Sequence, residues 1–148
     1  MRFGLRSLII VLILSVFATA WLHEREQTLP LDWERYSAQR VRQATETGRV
    51  VLVSLIARWD VACISNEPYA IHNQEMIRFI RNNKVVLLRA DITDGDLEAT
   101  RLMQRLGLKS VPAFIVHSPC SPDAPVVLSD LTKEQILRDS ISQARNCE

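Results

Sequence analysis

Val50-Val51-Leu52-Val53-Ser54-Leu55-Ile56-Ala57 is apolar at every position but Ser54 and rich in β-branched residues. A run of this length and composition is a strand buried on both faces, which requires layers above and below it. That demand makes the chain an α/β domain with helices covering a sheet. Lys84–Ile92 is the next strand, and the long helical stretch between the two implies a parallel pair joined by a right-handed crossover. In open sheets of this kind, chemistry gathers at the carboxyl ends of the parallel strands. Arg58-Trp59-Asp60-Val61-Ala62-Cys63 lies at that end.

The surrounding pattern supplies the other elements. Ser37 caps a helix over Ala38–Thr47 that stops at Gly48. The crossover helix is expected to break between Pro68 and Asn73, its second part carrying Met76, Phe79 and Ile80. Asp96–Leu106 is a helix with Ala99, Leu102, Met103 and Leu106 on one stripe. Ala113–His117 and Val126–Leu128 read as short strands separated by a turn over Ser118–Pro125. Thr132 with Gln135 forms a capping-box pair, and Leu131 with Ile136 a hydrophobic staple, at the start of the last helix.

Arg2 and Arg6 precede sixteen uncharged residues, Ser7 to Leu22. Ala18-Thr19-Ala20 fits a signal-peptide cleavage site, whereas Trp21 suits a membrane interface. Residues 1–22 are therefore a signal peptide or a signal anchor, 23–32 a tether and 33–148 the domain. Either reading places the domain outside the cytoplasm, periplasmic or otherwise extracytoplasmic. With 18 Lys+Arg against 17 Asp+Glu, a net charge of +1 offers no surplus for phosphate contacts, and nucleic acid is excluded as a partner. Loss of residues 1–20 would remove two Arg and no acid, giving 16 minus 17, or −1.

Three cysteines are an odd count. Cys63, in the first turn of a helix, has two readings. Unpaired backbone N–H groups there favour a thiolate, the condition for a reactive cysteine. Asp60 opposes this by capping the helix and adding a negative charge, which points to a raised thiol pKa and a small buried hydrophobe. His23, His72 and His117 stand on separate elements, and Asp91, Asp94 and Asp96 lack the Gly and terminal Glu of a calcium loop. No metal or cofactor is implied.

From Gly48 through Cys63 the chain resembles the active-site approach of the thioredoxin family. Within it, the likeness is to the C-terminal domain of the DsbD-type thiol:disulfide interchange proteins, whose motif reads A-x-W-C-x-x-C. Asn66-Glu67, the stretch Val85–Thr93 and Ser110-Val111-Pro112-Ala113-Phe114 extend the likeness to nearly all of Trp33 to the C-terminus. The resemblance implies a thioredoxin-like fold with a central mixed sheet. It also implies a cis bond at Val111-Pro112 whose edge docks an extended peptide of an envelope protein or thiol-containing partner. Three departures follow from it. Asp60 stands where the family has its attacking cysteine, with Cys63 at the buried resolving position. Ser54 replaces a buried acid, and Ile64 a common lysine. A carboxylate cannot attack a disulfide, because exchange requires a thiolate.

The family topology also implies that Cys120 and Cys147 meet at the far pole and pair in an oxidising compartment, leaving Cys63 alone. The expected function is a degenerate protein-binding or accessory module, with membrane contact through the N-terminal segment if uncleaved. The alternatives are a residual single-thiol oxidoreductase using Cys63 and a structural subunit of a membrane assembly.

Overall fold

A computed structural model describes residues 10–19, 31–71 and 73–147. The chain divides into two units, Met1–Pro30 and Leu31–Glu148. In the first, residues 10–19 form helix α1, with large apolar side chains such as Leu14 and Phe17 exposed. No described helix is long and apolar enough to cross a membrane, so the anchor expected over residues 7–22 gains no support. The remainder of that segment, like His23 and His72, lies outside the described residues.

The second unit contains five strands, β1 (Glu34–Arg35), β2 (Val51–Ile56), β3 (Val86–Asp91), β4 (Ala113–Ser118) and β5 (Ser121–Ser129). They form one sheet in the order β1-β3-β2-β4-β5. β2 runs parallel to β3, with Val51 opposite Val86, and antiparallel to β4, with Leu55 opposite Ala113. Helices α2 (Ala38–Glu46) and α5 (Leu97–Arg105) cover one face. The other is covered by α3 (Val61–Ile71), α4 (Gln74–Asn82) and α6 (Glu134–Asn146).

The alternation of β2 decides which residue meets which layer. Val51, Val53 and Leu55 pack with Val41, Ala44, Ala99 and Leu102. Leu52 packs on the opposite side with Ala70, Met76, Ile80, Phe114 and Leu137. Ser54 shares the Leu52 side, since successive side chains alternate across a sheet. Burying each such aliphatic side chain contributes about 1.5–3 kcal/mol, which is what holds both helix layers to the sheet.

Local signals worked where the cap was local. Ser37 Oγ accepts from Arg40 N at 3.0 Å, Asn73 Oδ1 from Met76 N at 2.7 Å, and Asp96 Oδ1 from Glu98 N at 2.9 Å. Gly48 takes the left-handed φ of 74° that ends α2. The break in the crossover falls at Asn73, while Pro68 lies inside α3.

Two expectations are corrected. The turn over Ser118–Pro125 is shorter than its Pro and Ser content suggested: β5 begins at Ser121, and Ser118 pairs with Ser121 across Pro119-Cys120. The capping box at Thr132 does not form. The N-cap of α6 is Lys133, without a side-chain bond, because Thr132 N donates instead to Asn66 Oδ1 on α3 at 3.0 Å. Gln135 bonds Asp139, and Leu131 and Ile136 remain exposed.

Candidate functional site

The segment Ala57–Asp60 leaves the carboxyl end of β2 and turns into α3. Asp60 is the helix cap the sequence suggested. Its Oδ1 accepts from Ala62 N at 2.8 Å, and its carbonyl accepts from Ile64 N at 3.3 Å. This carboxylate therefore uses a backbone donor that a thiolate at the helix start would otherwise recruit.

Cys63 lies behind it, only 4% exposed. Burial pushes its thiol above the ordinary range, and the charges of Asp60 and Asp91 add to that; the Ala57 N–H, 3.4 Å from Sγ, opposes it. The direction agrees with the one expected from Asp60, but burial rather than the neighbouring carboxylate is the larger cause. A buried, protonated thiol is a poor nucleophile and a poor acceptor of a bulky disulfide.

The cis peptide at Val111-Pro112 is present. Since Leu55 pairs with Ala113, one more step of the register sets Pro112 across from Ile56, beside the residue whose N–H meets Cys63. Pro112 O accepts from Asp130 N at 3.2 Å, which brings Leu131 to the same end of the sheet. The surface there is apolar: Trp59 is 67% exposed, Val61 75% and Ile64 62%, with Leu131 also exposed. Arg58 is tied to the loop after β3, through Nε to Asp91 Oδ2 at 2.9 Å and its backbone N to Thr93 Oγ1 at 2.7 Å, with Asp94 completing the cluster. Burial alone would raise the Asp91 carboxyl, but bonds from Thr93 and Arg58 outweigh it and hold it low.

Beneath the helix is a polar group that sequence reasoning did not assign. Ser54 Oγ is 3.4 Å from Glu67 Oε2, and Glu67 pairs with Arg89, whose guanidinium stands 5.0 Å from the Trp33 ring centroid. Ser54 and Arg89 are register partners across β2 and β3. A carboxylate thus reaches the Ser54 position from α3 instead of from the strand. The signal was available: Glu67 is one turn beyond Cys63 on the same helical face, Arg89 interrupts an apolar strand, and opposite charges at half-buried positions must pair.

Cys120 and Cys147 are joined, with Cα atoms 5.7 Å apart and 27 positions apart in sequence. They sit at the hairpin end of β4, six residues from the cis-proline end, a span of about 20 Å at ~3.3 Å per residue. A disulfide needs Cα atoms within about 7 Å, so neither can serve Cys63, which is the free cysteine. No group of three or more metal-binding side chains occurs among the described residues.

The sequence model of the thioredoxin-like family matches residues 32–119. The thiol:disulfide interchange protein DsbD of Ralstonia nicotianae is 29% identical over 106 residues, 72% of this chain and 17% of that protein. The DsbD of Yersinia enterocolitica is 28% identical over 82 residues, 55% of this chain and 14% of that one. The chain therefore spans less than a fifth of the length of these relatives. Among solved structures, the oxidised C-terminal domain of Neisseria meningitidis DsbD has a TM-score of 0.55 at 16% identity, covering 74% of this chain and 97% of that domain. A DsbH oxidoreductase has a TM-score of 0.60 at 11% identity, covering 81% and 88%. Likeness at these identities concerns the fold.

Proposed function

The chain belongs to the thioredoxin-like family, and from that premise we propose that it is an extracytoplasmic binding module that docks an extended segment of a partner protein without exchanging disulfides. The relation to DsbD proteins supports the compartment and the pathway class, thiol/disulfide or protein-quality work in the envelope. The observation that carries the reading is Asp60. By the family resemblance it stands where the family has the attacking cysteine, and here it caps the helix, with the buried thiol of Cys63 behind it and the cis-proline backbone and exposed Trp59, Val61 and Ile64 beside it.

Extended peptides gain affinity from main-chain hydrogen bonds and specificity from apolar side-chain contacts. The exposed apolar cluster supplies the second element, and the backbone beside Pro112 supplies the first. The alternative, a residual oxidoreductase using Cys63 alone, draws on the Ala57 N–H that faces the sulfur. Burial and Asp60 act against it.

A photoreactive side chain at position 59 tests the two readings in envelope extracts. The binding module predicts a specific crosslinked partner that persists in Cys63→Ser and is lost in Pro112→Ala. Loss of the partner in Cys63→Ser, or its recovery as a reducible mixed disulfide with Cys63, would establish the thiol enzyme instead.

A further inference from the structure

On the sheet face opposite α3, helices α2 and α5 and the β4–β5 hairpin enclose a groove. It has two chambers of about 290 and 350 Å³ that share Tyr36, Ala38 and Arg105. The larger falls in the range of small-molecule sites and the smaller lies at its lower limit. Arg42 and Arg105 line the inner chamber, and Arg101, one turn before Arg105, lines the outer one.

The groove gathers three arginines from two neighbouring helices, α2 and α5. Among the described ion pairs, carboxylates engage Arg35, Arg40, Arg58, Arg89 and Arg138, but none engages Arg42, Arg101 or Arg105. In the inner chamber Asp123 is the opposing carboxylate. Glu98 lines the outer one, so three guanidinium groups against two carboxylates leave a single positive charge across the groove, which a monoanion would balance. Arg105 is also oriented: its Nη2 donates to the hydroxyl of the buried Tyr36 at 3.1 Å, leaving further donors in its planar fork.

The remaining walls are apolar, with Val41, Leu102, Leu106 and Pro125 against the chamber. His117, 7% exposed, also lines it. Its Nδ1 lies 3.0 Å from Pro122 O, an acceptor, so Nδ1 carries the proton and Nε2 the lone pair. That Nε2 is buried with no hydrogen-bond partner among the described residues.

We propose that this groove binds a small organic monoanion, an acidic head held by Arg42 and Arg105 with an apolar body laid against Leu102 and Leu106. The site is independent of the peptide-docking edge and lies on the other face of the sheet.

The test is an NMR titration of the full-length chain, following the His117 and Tyr36 ring resonances with three probes. Benzoate carries both features, benzyl alcohol only the body and inorganic phosphate only the charge. Benzoate is expected to give saturable shifts at both rings, and each of the other probes to bind about tenfold or more weakly. Arg42→Gln, which loses no side-chain hydrogen bond or ion pair among the described residues, and Arg105→Gln should each weaken benzoate about tenfold, the scale of one charge-assisted hydrogen bond. Arg78→Gln, an exposed change on α4, should leave it unaltered. Benzoate shifts confined to residues outside the groove, benzyl alcohol or phosphate binding as tightly as benzoate, or affinity unchanged in Arg42→Gln would each overturn the proposal.

Discussion

Replacing Asp60 by Ala and, separately, by Asn divides the two effects of this carboxylate. As a cap it accepts from Ala62 N at 2.8 Å. Ala loses that acceptor, at a cost of about 1 kcal/mol within a range of about 0.5–2. For a domain of this size the loss corresponds to roughly 3–5 °C in melting temperature. Asn keeps an acceptor at the same place and should remain within a few tenths of a kcal/mol of the parent. As a charge, Asp60 raises the Cys63 thiol together with Asp91, after burial as the larger cause. Both substitutions should therefore lower the pH at which Cys63 becomes reactive, without bringing it to that of an exposed thiol. Thermal unfolding followed by far-UV circular dichroism reads the first effect, and iodoacetamide labelling against pH the second. If Asn destabilises as much as Ala, the carboxylate is not acting as a cap. If neither moves the labelling profile, its charge does not reach the sulfur.

Cys120→Ser should destabilise the chain by roughly 3 kcal/mol, from the loop closed between positions 27 apart; denaturant midpoints of oxidised and reduced parent bracket the value, and an unchanged midpoint would refute it. Arg89→Met leaves Glu67 half-buried without its partner and should cost about 1–3 kcal/mol, much of it recovered in the double variant with Glu67→Gln; equal losses in single and double variants would mean the pair is not coupled. Burial depresses the His117 pKa, so its contribution is present above the unfolded value of about 6.5 and is lost as the pH falls through the folded one. Unfolding free energy should accordingly decline from pH 7 toward 5, with a shallower slope in His117→Phe; an identical slope in both proteins would show that another group is responsible.

The parts of the fold that were legible in the sequence are those governed by local chemistry. Ser37, Asp96 and Asp60 announce helix starts because a side chain two or three residues away from a free N–H satisfies it wherever the helix packs. The run from Val50 to Ala57 announced a doubly buried strand, and with it the parallel pairing to β3. The cis bond at Pro112 and the Cys120–Cys147 bridge were reachable through family likeness. What escaped depended on partners distant in sequence. β1 is two exposed residues with no periodicity, made a strand by its pairing with Leu88 and Arg89. Thr132 lost its cap role to Asn66, 66 positions earlier. The Ser54, Glu67 and Arg89 group unites a strand, a helix and another strand. The serine was noted only for the acid it lacks, and the carboxylate that serves the position comes from another element.

The account rests on Cys63 being a buried, protonated thiol and not a nucleophile. Its alkylation rate against pH, in the folded full-length chain with the Cys120–Cys147 bridge intact, measures that directly. The bridge leaves Cys63 as the free thiol, so the signal needs no correction. The raised pKa favours the folded state fully below the unfolded thiol value of about 8.5, and this contribution is lost as the pH rises through the folded one. The predicted profile has its midpoint above about 8.5, with labelling in the native chain slower than in denaturant at every pH below it. A midpoint well below that reference, with native labelling faster than denatured, would contradict the binding-module reading and make Cys63 a working thiolate.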